Sequence, residues 1–258
     1  MDFDLSEEQR LLKESVEGLL GDSYDFDSRK KYMAEKGGWS KAVWGKLAEQ
    51  GLLGLPFAEE DGGFGAGAVE IMIVMEAMGR ALVLEPYLAT VVIAGGFLRH
   101  GGSAEQKAAY IPGIIDGSKT FAFAQLEKNS RYDLHDVATT AKKKGAGWVI
   151  DGEKFVVLNG EGADTLIVTA RTKGGQRETN GIGVFLVPAS AKGITRKGYP
   201  TQDGLHAADI SFTGVEVGAD AAIGDPENGL ALVERVVDEA RTATVSYTHL
   251  TLPTNREV

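Results

Sequence analysis

The residues able to bind or transform a ligand cluster in one stretch, Phe121 to Asp133, which reads FAFAQLEKNSRYD. It opens as an apolar run with an aromatic at every second place, the texture of a buried strand. It then turns polar through Glu127, Lys128, Asn129 and Ser130. A strand end passing into an irregular loop, where helical sequence gives way to sheet sequence, is a place for a cofactor cleft. Other reactive groups are more scattered. His100, His135, His206 and His249 lack metal-ligand spacing, and the chain has no cysteine, so thiolate metal sites and disulfides are excluded. Glu76 is a lone carboxylate in an apolar segment, and Arg80 at i+4 supplies a partner. The glycine-rich run Glu60 to Gly67 has neither the G-x-G-x-x-G spacing nor a strand before it. It reads as a flexible helix connector beside a substrate cleft rather than a phosphate cradle.

The elements that position this stretch follow from periodicity. Ser6 and Gln9 form a capping box ahead of Leu11, Leu12, Val16, Leu19 and Leu20 at helical spacing. A helix lies within 39–53, stopped at Gly51 or Gly54. Residues 68–84 are apolar on most sides and predict a central helix buried nearly all round. Residues 90–98 predict another, and Ser103 with Gln106 caps one running to about Ile115. From Lys119 the period becomes two, with strands expected over 120–125, 137–141, 148–150, 154–158, 165–172, 182–187 and 208–212. Lys142 to Lys144 lie at a turn and read as a solvated hairpin tip rather than a nucleic-acid patch. Short connections between strands argue for an antiparallel barrel or sandwich. Asp225 to Asn228 signal a helix start, and residues 229–245 are helical, with Leu232, Val233, Val236 and Val237 on one face. The fold class is therefore α+β, with an all-α domain over 1–118, a β-domain over 119–225 and the first helix of a further helical domain over 226–245. Residues 246–258, SYTHLTLPTNREV, break the pattern and read as foreign sequence or a disordered tail.

A chain of 258 residues with 43% hydrophobic content suffices for two domains, and its net charge of −10 argues against non-specific nucleic-acid binding. The acidic start is not a signal peptide, and no apolar run reaches the roughly 20 residues that span a bilayer. The expectation is a soluble, cytoplasmic protein without membrane partners.

In this order the segments resemble the acyl-CoA dehydrogenase family. Residues 56–63 (PFAEEDGG) look like the family's N-terminal loop and 76–81 (EAMGRA) like its central helix. Residues 102–107 with 110–112 are similar to the helix before its β-domain. Phe121 to Asp133 sits where the flavin-binding strand and loop sit, and 152–160 with 163–172 match the second flavin-side segment. Ser130 to Leu134 look most like the small subunit of pimeloyl-CoA dehydrogenases. The resemblance implies FAD against the backbone of Phe123, Gln125 and Leu126, with contacts from Arg131, Val156 and Leu158. It implies acyl-CoA contacts from Tyr132 and Arg241, an electron-transfer flavoprotein as acceptor, and a homo- or hetero-tetramer.

The departures are specific. The family has threonine where this chain has Leu126, proline at Lys128, a small serine at Tyr132, and an aromatic and a hydroxyl at Val156 and Leu158. Arg131 is placed to pair with a phosphate instead. The family reaction removes an α-proton with a glutamate and passes hydride to flavin. That glutamate stands beyond this sequence or, in some relatives, at the position of Ala240. Glu239 is one residue away, a helical step of about 100°, so Glu234 and Glu239 read as solvent or packing residues and no base is assigned. The leading expectation is FAD-dependent α,β-dehydrogenation of an acyl-CoA. Alternatives are a non-catalytic or half-catalytic subunit of a heteromeric enzyme, or another flavin chemistry on the same fold. Apolar faces left open by this chain predict poor solubility.

Overall fold

The computed structural model describes residues 4–248, so the expectation for the tail lies almost entirely outside the described residues. Helix α1 (Glu7–Ser23) begins on the capping box: Ser6 Oγ accepts the Gln9 N–H at 3.2 Å and Gln9 Oε1 accepts the Ser6 N–H at 3.0 Å. Helix α2 (Phe26–Met33) is capped by Asp25 and buries no residue, so no apolar stripe announces it in the sequence. Helix α3 (Lys41–Glu49) ends before Gly51, which takes the left-handed φ of 73° that favours glycine.

The glycine-rich run is not a flexible connector. Its backbone is bonded back onto residues 54–58, with the Gly63 N–H on Ala58 O, Gly65 on Phe57 O and Ala66 on Leu55 O. A Cβ at Gly63 would stand 2.3 Å from Phe57 O, so only glycine allows this approach.

Helix α4 (Ala68–Ala81) buries Ile73, Val74, Met75, Ala77 and Met78, while Glu76 pairs with Arg80 at 2.8 Å as its spacing required. It is not buried all round: Val69 and Met72 are exposed, because this face opens on a cleft rather than on another helix. The segment expected as one helix over 90–98 is a π-helical stretch (Leu88–Ala94) running into α5 (Gly95–Gly101). Helix α6 (Ala104–Ile115) carries the second capping box, Ser103 with Gln106.

The sheet departs from expectation. It is one open, mixed sheet, not a closed antiparallel barrel. Its strands are β1 (Phe121–Ala124), β2 (Thr140–Lys144), β3 (Gly147–Leu158), β4 (Thr165–Arg171), β5 (Ile182–Pro188), β6 (Ile194–Pro200), β7 (His206–Val217) and β8 (Ala222–Ile223), ordered β6-β7-β3-β2-β4-β5-β8 with β1 beside β4. The β1–β4 pair is parallel, Phe121 opposite Thr165 and Ala124 opposite Val168. The long excursion through the polar loop and the β2–β3 hairpin lets the chain return in the same direction. Residues 148–150 and 154–158 belong to a single strand with irregularities between Ile150 and Gly152 and between Lys154 and Val157. Strand β6 is mostly exposed at the sheet edge, and its polar side chains hid it from a hydrophobic pattern.

Strand β1 joins the two halves. Phe121 and Phe123 face the helices, with ring centroids 5.9 Å from Tyr110 and 4.9 Å from Phe97 respectively, whereas Ala122 and Ala124 enter the sheet core. Helix α7 (Leu230–Thr248) returns to the helical half and buries Val233, Val236, Ala240 and Ala243. The three lysines end β2 at its turn, Lys144 on Glu216 and Lys143 over the Trp148 ring. No described helix is long and apolar enough to cross a membrane.

Candidate functional site

The polar loop after β1 is held from beneath by a buried ion pair. Lys154 is fully buried, and its three donors have three acceptors: Glu127 Oε1 at 2.7 Å, Thr169 Oγ1 at 3.0 Å and the Gln125 carbonyl oxygen at 3.2 Å. Glu127 in turn accepts the N–H groups of Ala138 at 2.8 Å and Thr139 at 3.0 Å. Burial pulls the Lys154 ammonium down to about 8, with the Glu127 carboxylate opposing the shift. Burial alone would raise Glu127, but Lys154 and the two backbone N–H groups outweigh it and hold the carboxyl below its ordinary range. The loop closes on itself through Ser130, whose Oγ accepts the Glu127 N–H at 3.0 Å.

A β-bulge sets the second face of the site. Between Lys154 and Val157 strand β3 advances three residues while β7 advances two, from Ile210 to Ala208. Strict alternation would put residues 154, 156 and 158 on one side. The extra residue instead turns Lys154 and Val157 inward and leaves Val156 and Leu158 outward, 46% and 40% exposed. Val156 carries the strain of this turn with φ of 48°, unusual for a β-branched residue, and its N–H donates to Asp209 Oδ1 at 3.2 Å. The outward segment is stitched to the loop by the Phe155 N–H on Leu126 O at 2.8 Å and to β1 by Asn159 Nδ2 on Phe121 O at 3.0 Å.

The residues marked in sequence are therefore partly assembled. Phe123, Gln125 and Leu126 are half-buried along one edge, next to the exposed Val156 and Leu158. The Gln125 Nε2 amide is buried without a hydrogen-bond partner, and among the described residues the Leu126 N–H has none either. Arg131 and Tyr132 sit further out, at the loop tip. Arg131 has φ of 50° and Tyr132 is 93% exposed, and both line a cleft with Lys128, Asp136 and Arg177. Arg241 is not brought to this group. It is exposed on α7, where its Nη1 is 3.2 Å from Asp238 Oδ1.

Sequence reasoning missed the scaffold. Arg171, at the end of β4, spends all five of its N–H donors on the carbonyl oxygens of Val137, Glu178, Asn180, His135 and Gln176, at 2.8 to 3.1 Å. It thereby fixes the return of the polar loop against the β4–β5 connection. The available signal was a charge at the end of a largely apolar strand, Thr165 to Arg171, and likewise Lys154 ahead of an apolar run.

A second cavity, about 630 Å³, lies between α4, the π-helical stretch and α7, with Ile71, Met72, Val92, Arg99, Glu239 and Thr242 among its walls. Glu239 is neither a free carboxylate nor a solvent residue here. Its Oε2 is 2.9 Å from Arg99 Nη2 and its Oε1 2.7 Å from His100 Nε2. Ala240 turns into the helical core.

Comparison with known proteins agrees with this architecture. The sequence matches the family descriptions "Acyl-CoA dehydrogenase, N-terminal domain" over residues 6–118 and "Acyl-CoA dehydrogenase, middle domain" over residues 122–215. It is 32% identical over 236 residues to acyl-CoA dehydrogenase FadE12 of Mycobacterium tuberculosis, an alignment covering 88% of this chain and 58% of that protein. Among solved structures, the Tcur3481-Tcur3483 steroid ACAD superposes with a TM-score of 0.85 at 26% identity, over 96% of this chain and 65% of the other. Butyryl-CoA dehydrogenase of Megasphaera elsdenii, at 22% identity and a TM-score of 0.87 over 96% of this chain and 66% of that one, shares the fold. The chain thus spans less than two thirds of the length of the curated relative and about two thirds of the solved structures. With both domain descriptions matched in order across the helical half and the sheet, this chain belongs to the acyl-CoA dehydrogenase family.

Proposed function

We propose that this chain forms the helical and β-domains, residues 1–118 and 119–225, of an FAD-dependent acyl-CoA dehydrogenase, with 226–245 beginning a further helical unit. One observation carries the reading. Two unpaired donors, Gln125 Nε2 and the Leu126 N–H, lie beside an outward apolar platform of Val156 and Leu158. The buried Gln125 amide is costly without a partner and calls for an acceptor. A flat heteroaromatic ring with carbonyl and imine acceptors on one edge would offer acceptors to these donors and cover the platform, so the residues present fit the group. The hydroxyls that the family has at Leu126 and Leu158 are absent, and Gln125 supplies a substitute donor.

Bound FAD would supply the two-electron acceptor that α,β-desaturation of an acyl-CoA thioester needs. The contribution of this chain's own residues is positional and electrostatic. Gln125 and Leu126 donate toward the ring edge where negative charge grows on reduction. Val156 and Leu158 exclude water from one ring face. Lys128, Arg131 and Arg177 line the outer cleft together with Asp133 and Asp136, and with Asp136 already paired to Arg177 at 2.9 Å it is Lys128 and Arg131 that suit a phosphorylated ligand. Tyr132 stands where the acyl-CoA would pass. Glu239 is engaged by Arg99 and His100, so no base is assigned to it. Electron-transfer flavoprotein is the proposed acceptor and an oligomer the proposed assembly.

The test is direct titration of the chain with FAD, followed by absorbance and by quenching of flavin fluorescence. Binding is expected, with a 5–10-fold loss in Gln125→Leu, on the order of one hydrogen bond at about 1 kcal/mol. No binding to the wild type overturns the flavin assignment and favours a partner-subunit role. Unchanged affinity in Gln125→Leu overturns the role of that amide.

A further inference from the structure

The flavin reading above uses the Gln125–Leu126 peptide as a donor but leaves Lys154 unexplained. A fully buried ammonium is expensive, and a methionine of similar length would fill the same space without a counter-charge. What the lysine adds is its placement. Its ammonium sits 3.2 Å from the Gln125 carbonyl oxygen, and the N–H of that same peptide unit is the unpaired Leu126 donor. A cation on the oxygen of an amide draws charge through the planar O–C–N system and leaves its N–H more positive. The other two ammonium donors go to Glu127 and Thr169, so the group cannot swing away from the carbonyl. Glu127 is itself pinned by Ala138 and Thr139. The pair is nearly neutral as a whole, so its influence falls on the peptide it touches rather than on the entire cleft.

We propose that Lys154 is a positioning residue that polarises the Gln125–Leu126 peptide and makes the Leu126 N–H a stronger donor to a reduced, negatively charged flavin edge than to an oxidised one. The proposal rests on the flavin reading for its consequence but not for its physical core, which concerns residues of this chain alone. Charged groups around the site are few. Glu127 from the loop touches Lys154, Arg171 on β4 acts on Glu127 at longer range, and Asp209 on β7 holds the Val156 N–H and the Tyr199 hydroxyl. Protonation changes sensed at the Gln125–Leu126 peptide near pH 8 therefore report Lys154.

The first measurement needs no flavin. Carbonyl-detected NMR of the labelled full chain follows the Gln125 carbonyl carbon and the Leu126 nitrogen from pH 6 to 10. Both shifts are expected to move together with a midpoint near the Lys154 value of about 8. In Glu127→Gln, which keeps the side-chain shape but removes the counter-charge and one of the two accepting oxygens, the midpoint moves lower. Flat shifts in the wild type overturn the proposal. The second measurement compares oxidised and reduced flavin affinities of wild type and Lys154→Met. The variant is expected to lose about tenfold more affinity for the reduced form, equivalent to about 30 mV for a two-electron couple. Equal losses for both forms mark a purely structural lysine and overturn the proposal. If Lys154→Met does not fold, Glu127→Gln carries the same comparison at a pH above its lowered midpoint, where Lys154 is neutral, with a differential in the same direction. A wild-type chain that shows the paired NMR titration yet binds no flavin supports the polarised peptide and overturns the flavin reading, so the two failures are distinguishable.

Discussion

Glu239 Oε1 lies 2.7 Å from His100 Nε2 while its Oε2 lies 2.9 Å from Arg99 Nη2, so one carboxylate on α7 ties that helix to the end of α5. Arg235, one turn earlier on α7, approaches the same carboxylate at 3.7 Å. The pairs are only partly exposed, which places them above the value of an isolated surface bridge. Glu239→Ala is expected to lower stability by about 1–3 kcal/mol, because it leaves Arg99 and His100 without their acceptor. A denaturant melt that stays within 0.5 kcal/mol of wild type, an order-of-magnitude margin for surface changes, would show that α7 is held by its apolar face alone.

The same cluster predicts a pH dependence. Burial depresses His100, and Arg99 adds to the effect, while Glu239 opposes it without reversing it. The folded state therefore releases this proton more readily than the unfolded chain, whose histidine keeps its ordinary value. The unfolded state binds more protons between the two values, so stability rises with pH through that window and falls as pH drops below about 6.5. Thermal midpoints measured from pH 5 to 7.5 should rise in the wild type and rise less in His100→Gln. Parallel curves for the two proteins would refute this.

Glu127 and Lys154 make a second acid-sensitive element, with a larger mutational cost. Removing the carboxylate in Glu127→Ala strands a buried ammonium and leaves two backbone N–H groups unpaired, for a loss of about 3–5 kcal/mol. Because the Glu127 carboxyl is held below its ordinary range, its contribution is present above the unfolded value and disappears as pH falls through the folded one. Urea unfolding of Glu127→Ala and of the wild type at pH 7 measures the cost. A loss below about 1 kcal/mol, the scale of an exposed pair, would mean water reaches the pair.

Arg171 offers a test of the loop clamp. Its five backbone acceptors match the planar fork of a guanidinium, and a lysine has only three donors on a single nitrogen. Arg171→Lys is expected to cost about 2–4 kcal/mol through carbonyls left unpaired. Hydrogen exchange should quicken at Val137 and Thr139, whose backbone groups border the clamp. Unaltered protection there would place the clamp elsewhere.

Val156 tests the bulge. A β-branched residue with φ of 48° stores strain that glycine does not. Relief of about 1–2 kcal/mol is partly offset by the entropy glycine loses on folding, about 0.5–1 kcal/mol. Val156→Gly should therefore fold at least as stably as wild type and bind flavin more weakly, having lost half of the apolar platform. A destabilised Val156→Gly would show that the side chain contributes more by packing than it costs in strain.

Much of the scaffold was legible because its signals are short-range. Capping boxes act across three residues, so Ser6 with Gln9 and Ser103 with Gln106 announced α1 and α6. The Glu76–Arg80 pair followed from one helical turn, and the apolar strands β1, β4 and β5 from their composition. The family was carried by the order of such segments. The site was legible only as a region, Phe121 to Leu126 beside Val156 and Leu158. Its working parts depend on partners far apart in the chain. Lys154 meets Glu127 from 27 positions away, and Arg99 meets Glu239 from 140. The parallel pairing of β1 with β4 rests on a return after 40 residues, which no local period records. One extra residue between Lys154 and Val157 then decides which side chains face inward. Strand alternation has a period of two, so a single insertion exchanges the faces, and only the pairing with β7 in the folded chain determines where it occurs.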